Sequence, residues 1–164
     1  MSVDELIQKG KRQIKSKQYN HAVQSFSKVL DEDPDNLDAL IFRSGCYLQT
    51  EQFEKCIQDL DRAIAEAPNN PKLYYNRGSA RVNLKKYDGA IGDFKIAIKL
   101  DPNYEKAYYN REAIYLNRDE HEKAVYDFLK AADLGNEHAQ VLIKHFEERG
   151  REIRSQESSD NSDE

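Results

Sequence analysis

The 164-residue sequence predicts an all-α solenoid of four two-helix repeats followed by a C-terminal capping helix. Three observations carry that prediction. Sliding the chain by 34 residues superimposes Pro34, Pro68 and Pro102; it also superimposes Ala22, Cys56, Ala90 and Ala124, and then Phe26, Leu60, Phe94 and Phe128. A fixed period of a few tens of residues marks a supersecondary unit that buries its apolar stripe only by stacking on its neighbours.

The repeats read as 3–36, 37–70, 71–104 and 105–138, within one domain spanning 3–153. In the first, Leu6, Gly10 and Ile14 share a helix face at spacings of four. A polar turn from Ser16 to Tyr19 leads to a second helix starting at Asn20, which is suited to cap orphan backbone donors, as is Asp88 two repeats later. Asp33-Pro34-Asp35-Asn36 stops that helix, because proline neither donates a hydrogen bond nor leaves its predecessor free to stay helical. The second repeat places Leu40, Ser44 and Tyr47 inward on one helix and Ile57, Leu60 and Ile64 on the other. Pro71 after Asn70 opens the third with a residue whose missing amide is no loss at a first helical turn. The fourth keeps Tyr108, Ala124, Phe128 and Ala131 but has Asn136 where the others have proline, so a softer end is expected. A capping helix over 139–153 follows, with Ala139, Leu142, Ile143 and Phe146 on one face and Lys144, Glu147, Glu148 and Arg149 on the other. The tail 154–164, acidic and without an apolar residue to bury, is expected to be disordered.

The net charge is −5, and the last ten residues hold Glu157, Asp160, Asp163 and Glu164 without a base, which leaves residues 1–154 at −1. A body this close to neutral lacks the basic excess that displaces counterions from phosphates, so nucleic acid is not an expected partner. No apolar core of a signal peptide and no stretch of transmembrane length is present. Two cysteines make no disulfide framework, which suits a cytoplasmic protein.

Tyr74, Gly78, Tyr87, Ala90, Phe94, Ala97 and Pro102 in the third repeat carry a family pattern: over roughly residues 3–153 the chain resembles the tetratricopeptide repeat (TPR) proteins. Gly78 and Ala90 are small where the two helices of a hairpin approach closely. The resemblance implies a right-handed superhelix, a concave groove lined by the first helix of every repeat, and binding of peptides or protein partners without catalysis. Departures from the pattern have consequences. Glu112 stands where Gly10 and Gly78 stand and requires either a cation such as Lys144 or His145 or access to water. Gln13 and Arg81 replace the aromatic found at Tyr47 and Tyr115, so looser packing is expected there.

On that implied groove the candidate contacts are Ile7, Lys11, Ile41 and Phe42 from the first two repeats. From the last two they are Lys72, Tyr75, Asn76, Asn83, Lys106, Tyr109, Asn110 and Asn117. The groove is thus expected to be apolar at one end and rich in amides at the other. Carboxamides that donate and accept can grip the main chain of an extended peptide, and the lysines can meet a carboxylate. Arg43, Arg77 and Arg111 read as structural, with heads paired to Asp59, Asp93 and Asp127.

Some TPR domains hold the acidic C-terminus of heat-shock chaperones in a clamp of Lys, Asn, Asn, Lys and Arg. Aligned on the first three repeats, those positions hold Ile7, Lys11, Phe42, Lys72 and Asn76, and only Lys72 matches. Aligned on the last three, they hold Ile41, Gly45, Asn76, Lys106 and Asn110, and Asn76 and Lys106 match. A non-enzymatic adaptor that binds an extended peptide is therefore the first expectation; a co-chaperone-type adaptor and a scaffold using the convex face are the alternatives. The four histidines lack metal-ligand spacing, and His121, at the position of Tyr19, Phe53 and Tyr87, reads as a packing residue. Cys46 and Cys56 read as small buried groups, and no metal or cofactor is implied.

Overall fold

The computed structural model describes residues 1–145 and Glu148; the predicted tail 154–164, the predicted end of the capping helix and Phe146 lie outside the described residues. Eight helices occur among them: α1 (Val3–Lys15), α2 (Tyr19–Glu32), α3 (Leu37–Gln49), α4 (Phe53–Glu66), α5 (Pro71–Asn83), α6 (Tyr87–Leu100), α7 (Glu105–Asn117) and α8 (His121–Asp133). A further helical run covers 137–145, starting two residues before the expected 139. The architecture is all-α, built of paired helix-turn-helix units with a trailing helix, as the period predicts.

Two compact units make up the chain, Met1–Pro102 and a second beginning at Asn103. In the first, three hairpins follow one another, α2 packing on α3 and α4 on α5, while first helices α1 and α3, and α3 and α5, lie side by side. Its core runs through Leu6, Phe26, Val29, Leu40, Cys46, Leu60 and Leu73. In the second, α7 packs on α8 and Ala131, Ala132 and Ala139 are buried.

The turns inside the hairpins differ from the sequence reading. Lys17, Glu51, Lys85 and Asp119, 34 residues apart, are all left-handed, with φ between 57° and 58°. Around each, an amide reaches back five residues, Gln18 to the Gln13 carbonyl at 2.8 Å and Glu120 to that of Tyr115 at 2.9 Å, closing a Schellman motif on the first helix. The second helices then begin at Tyr19 and Tyr87, not Asn20 and Asp88, and neither has a side-chain cap. The backbone of the turn makes an Asn or Asp cap unnecessary. Caps appear instead ahead of the first helices: Asn36 accepts from the Ala39 amide, Asn70 from that of Lys72, with Pro71 at the first turn as expected. Asn136 is the same device. Its side chain accepts from the Ala139 amide at 3.0 Å, and α8 ends in a Schellman turn at Gly135 (φ 93°), so the end expected to be soft is closed without proline.

Candidate functional site

Three of the hairpins, α3–α4, α5–α6 and α7–α8, are each locked by an arginine that leaves the first helix and forks onto an aspartate of the second. Arg43 donates from Nε and Nη2 to the two Asp59 oxygens at 2.8 and 2.7 Å, and Arg111 repeats the fork on Asp127 at 2.7 Å for both bonds. Arg77 does the same on Asp93, where Arg81 adds a bond of 2.7 Å. Planar bidentate pairs of this kind are the strong ones, and the aspartates are buried almost completely. The hydrogen bond to Asp59 holds the Arg43 guanidinium still more firmly protonated than usual. The remaining arm reaches the preceding hairpin, Arg43 to Ser27 and Arg77 to Asp61. These arginines are structural, as the sequence reading has it. The positions expected to pack loosely carry bonds too: Ser25 donates to Gln13 and Arg81 to Asp93 and the Gly89 carbonyl.

Of the expected contacts in the first unit, Ile7 is only 8% exposed and belongs to the core. Phe42 stacks on Phe26 with ring centroids 5.5 Å apart, and the Lys11 ammonium sits 4.7 Å above it while also facing Asp38 at 3.6 Å. Ile41 and Phe42 are half-buried, and Lys11 is engaged. On α5, Tyr75 and Asn76 are half-buried, with the Tyr75 ring 5.9 Å from Phe94, and Lys72 is exposed. Asn83 is exposed but donates to the Ser79 carbonyl one turn back.

In the second unit α7 presents Tyr109 and Asn110 half-buried and Lys106 exposed. Asn117 donates to the Ala113 carbonyl as Asn83 does to Ser79. Tyr109 stacks against His138, centroids 6.1 Å apart and planes at 27°, so the trailing helix contributes to this face. Val141 and Leu142 follow on it, both exposed, although Leu142 was expected on the buried side. They stand five and six residues beyond Asn136, as Tyr75 and Asn76 stand beyond Asn70. Sequence reasoning missed them because the fourth repeat is two residues short of 34; the cap asparagine Asn136 was the available signal.

The residues that suggest chemistry are placed as follows. Cys46 and Cys56 are buried and unpaired, burial pushing their thiols up to about 11 and about 12. His121 is exposed beside Asp119 rather than packed. Glu112 is only 9% exposed and does not lean to water. Burial, then the Asp127 carboxylate, raises its pKa. Among the described residues no group of His, Cys, Asp or Glu has metal-site geometry.

Comparisons with known proteins agree with this architecture. No curated protein matches the chain. Among solved structures, MamA from Desulfovibrio magneticus RS-1 is similar at 26% identity and a TM-score of 0.78, over 81% of this chain and 75% of that one. MamA AMB-1 is similar at 27% identity and a TM-score of 0.74, over 82% and 79%. MamA MSR-1 is similar at 25% identity and a TM-score of 0.75, over 82% and 77%. Two models described as tetratricopeptide repeat match residues 13–77 and 71–104, which together span more than half of the sequence. With its paired helices, its 34-residue period and these matches, the chain belongs to the tetratricopeptide repeat family and is a protein–protein interaction module.

Proposed function

We propose that the chain is an adaptor that holds an extended segment of a partner protein on the faces of its first helices. Tyr75 and Asn76 are its central contacts in one unit and Tyr109 and Asn110 in the other. The observation that carries this reading is the recurrence of a half-buried Tyr-Asn pair at one register of α5 and α7. An aromatic ring supplies contact area at little entropic cost, and the neighbouring carboxamide can both donate to and accept from a peptide main chain whatever its sequence. Asn83 and Asn117, bonded to their own helices, serve as the rim. Ile7 and Phe42, being packed, contribute shape rather than contact.

A second reading, capture of an acidic C-terminal carboxylate, has one observation in its favour: Lys72 and Lys106 are both exposed at the same register. Against it, Lys11 is already held by Asp38 and Phe42. Residence in the cytoplasm is part of the proposal and rests on the two unpaired buried cysteines. The test is affinity capture with the wild-type chain and with the Asn76→Ala, Asn110→Ala double variant. Loss of the captured partner is expected; undiminished recovery sinks the groove reading. Calorimetric titration with a peptide ending Glu-Glu-Val-Asp separates the second reading, which fails if no heat appears at high concentration.

A further inference from the structure

The outer side of α8 carries three large apolar residues that are open to solvent: Val125 is 55% exposed, Tyr126 56% and Leu129 48%. In the preceding hairpins the equivalent positions are covered or polar. Val23 and Ile57, which correspond to Val125, pack against the core. Ser27 and Asp61, which correspond to Leu129, accept hydrogen bonds from Arg43 and Arg77 of the next first helix. These bonds identify the side of a second helix on which the next hairpin sits. On α8 that side has become apolar, and the helical run 137–145 leaves it about half uncovered.

We infer that this face is a docking surface for a second copy of the chain, α8 against α8 about a two-fold axis near Tyr126. Two features select that occupant. Glu122 and Lys130 are exposed, stand one helical turn to either side of Tyr126, and hold no ion pair among the described residues. An axis at Tyr126 sets Glu122 of one copy opposite Lys130 of the other, twice, around an apolar centre; such self-complementarity is what an isologous contact requires. The other way to use a second copy, head to tail, would bring up α1, whose outward side is Asp4, Glu5, Gln8, Lys9 and Arg12. Those charges would be desolvated against Val125 and Leu129 without partners. Three half-exposed side chains offer on the order of 300 Å² of apolar surface per copy, below the roughly 800 Å² per partner of a standard interface. The dimer is therefore weak and reversible, with a dissociation constant on the order of 100 μM. It would present two peptide-binding faces at once, and it does not depend on the groove reading, since neither Tyr-Asn pair takes part.

Sedimentation of the full chain from about 5 μM to about 1 mM tests it. The weight-average mass is expected to rise from 19.0 kDa toward twice that value. Leu129→Lys, at an exposed position and with its fold checked by circular dichroism, is expected to weaken association at least tenfold. Glu122→Lys and Lys130→Glu are each expected to weaken it, and the two together to restore it to within about threefold of wild type. A monomer at every concentration, as would follow if the face served another protein or another part of the chain, overturns the inference. So does a dimer indifferent to Leu129→Lys, or one that the double charge reversal does not rescue.

Discussion

Gly78 lies so close to Phe94 that a Cβ added to it would stand 2.7 Å from the ring's Cε1, and at Gly10 the equivalent atom would stand 2.5 Å from Cζ of Phe26. Both rings are wholly buried, so neither can swing aside. In the second repeat the pair is Ser44 and Leu60, a larger residue facing a smaller one, and both are buried. Gly78→Ala is expected to lower stability by about 1–2 kcal/mol, overpacking outweighing the roughly 1 kcal/mol gained in helix propensity. Adding Phe94→Leu to Gly78→Ala should cost less than the two changes summed, read as a double-mutant cycle in urea. Strict additivity would show that the contact does not limit the approach of the helices.

Asp93 is the acceptor for Arg77 and Arg81 and is buried at its carboxylate. Asp93→Ala leaves both guanidinium groups without their counter-charge and is expected to destabilise the first unit by about 3–5 kcal/mol. Replacing Arg62, which reaches the Pro34 carbonyl from an exposed position, should change stability by under about 1 kcal/mol. Thermal unfolding of both variants makes the comparison, and equal shifts would refute a special role for the buried fork.

Glu112 makes the stability of the second unit depend on pH in the direction opposite to most carboxylates. Its pKa is raised in the fold by burial and then by Asp127. A carboxyl whose folded pKa exceeds its unfolded value binds its proton more readily when folded, so ionisation above that window weakens the fold and protonation relieves it. Glu112→Gln is therefore expected to stabilise at pH 7, with the gain shrinking as pH falls through the folded value toward the unfolded one. Unfolding midpoints of both proteins across that range check the sign; a gain that grew toward low pH would contradict it.

The period of 34 made the paired helices legible, because Pro34, Pro68 and Pro102 and the aligned Ala and Phe positions each have a physical task that tolerates few residue types. The Arg–Asp forks were legible for the same reason, a fixed separation of 16 residues between opposite charges. The left-handed turns were not, since Lys17, Glu51, Lys85 and Asp119 share no residue type suited to positive φ. At the candidate site, the register of Tyr75, Asn76, Tyr109 and Asn110 could be read. Periodicity could not reveal that Phe42 would be taken up between Phe26 and Lys11, a contact set by neighbouring hairpins. Nor could it place Val141 and Leu142, once the last repeat had dropped two residues.

Those turns bear on how the chain assembles. Every helical hairpin is closed by amides that bond residues only three and five positions back, and the last three also by a fork spanning 16 residues. Contacts this local exact little loop-closure entropy, so any hairpin can serve as the starting point and its neighbours can then zip on from either side. A chain emerging from its N-terminus can thus begin to close its first hairpin once residue 32 is available, without waiting for the hairpins that follow.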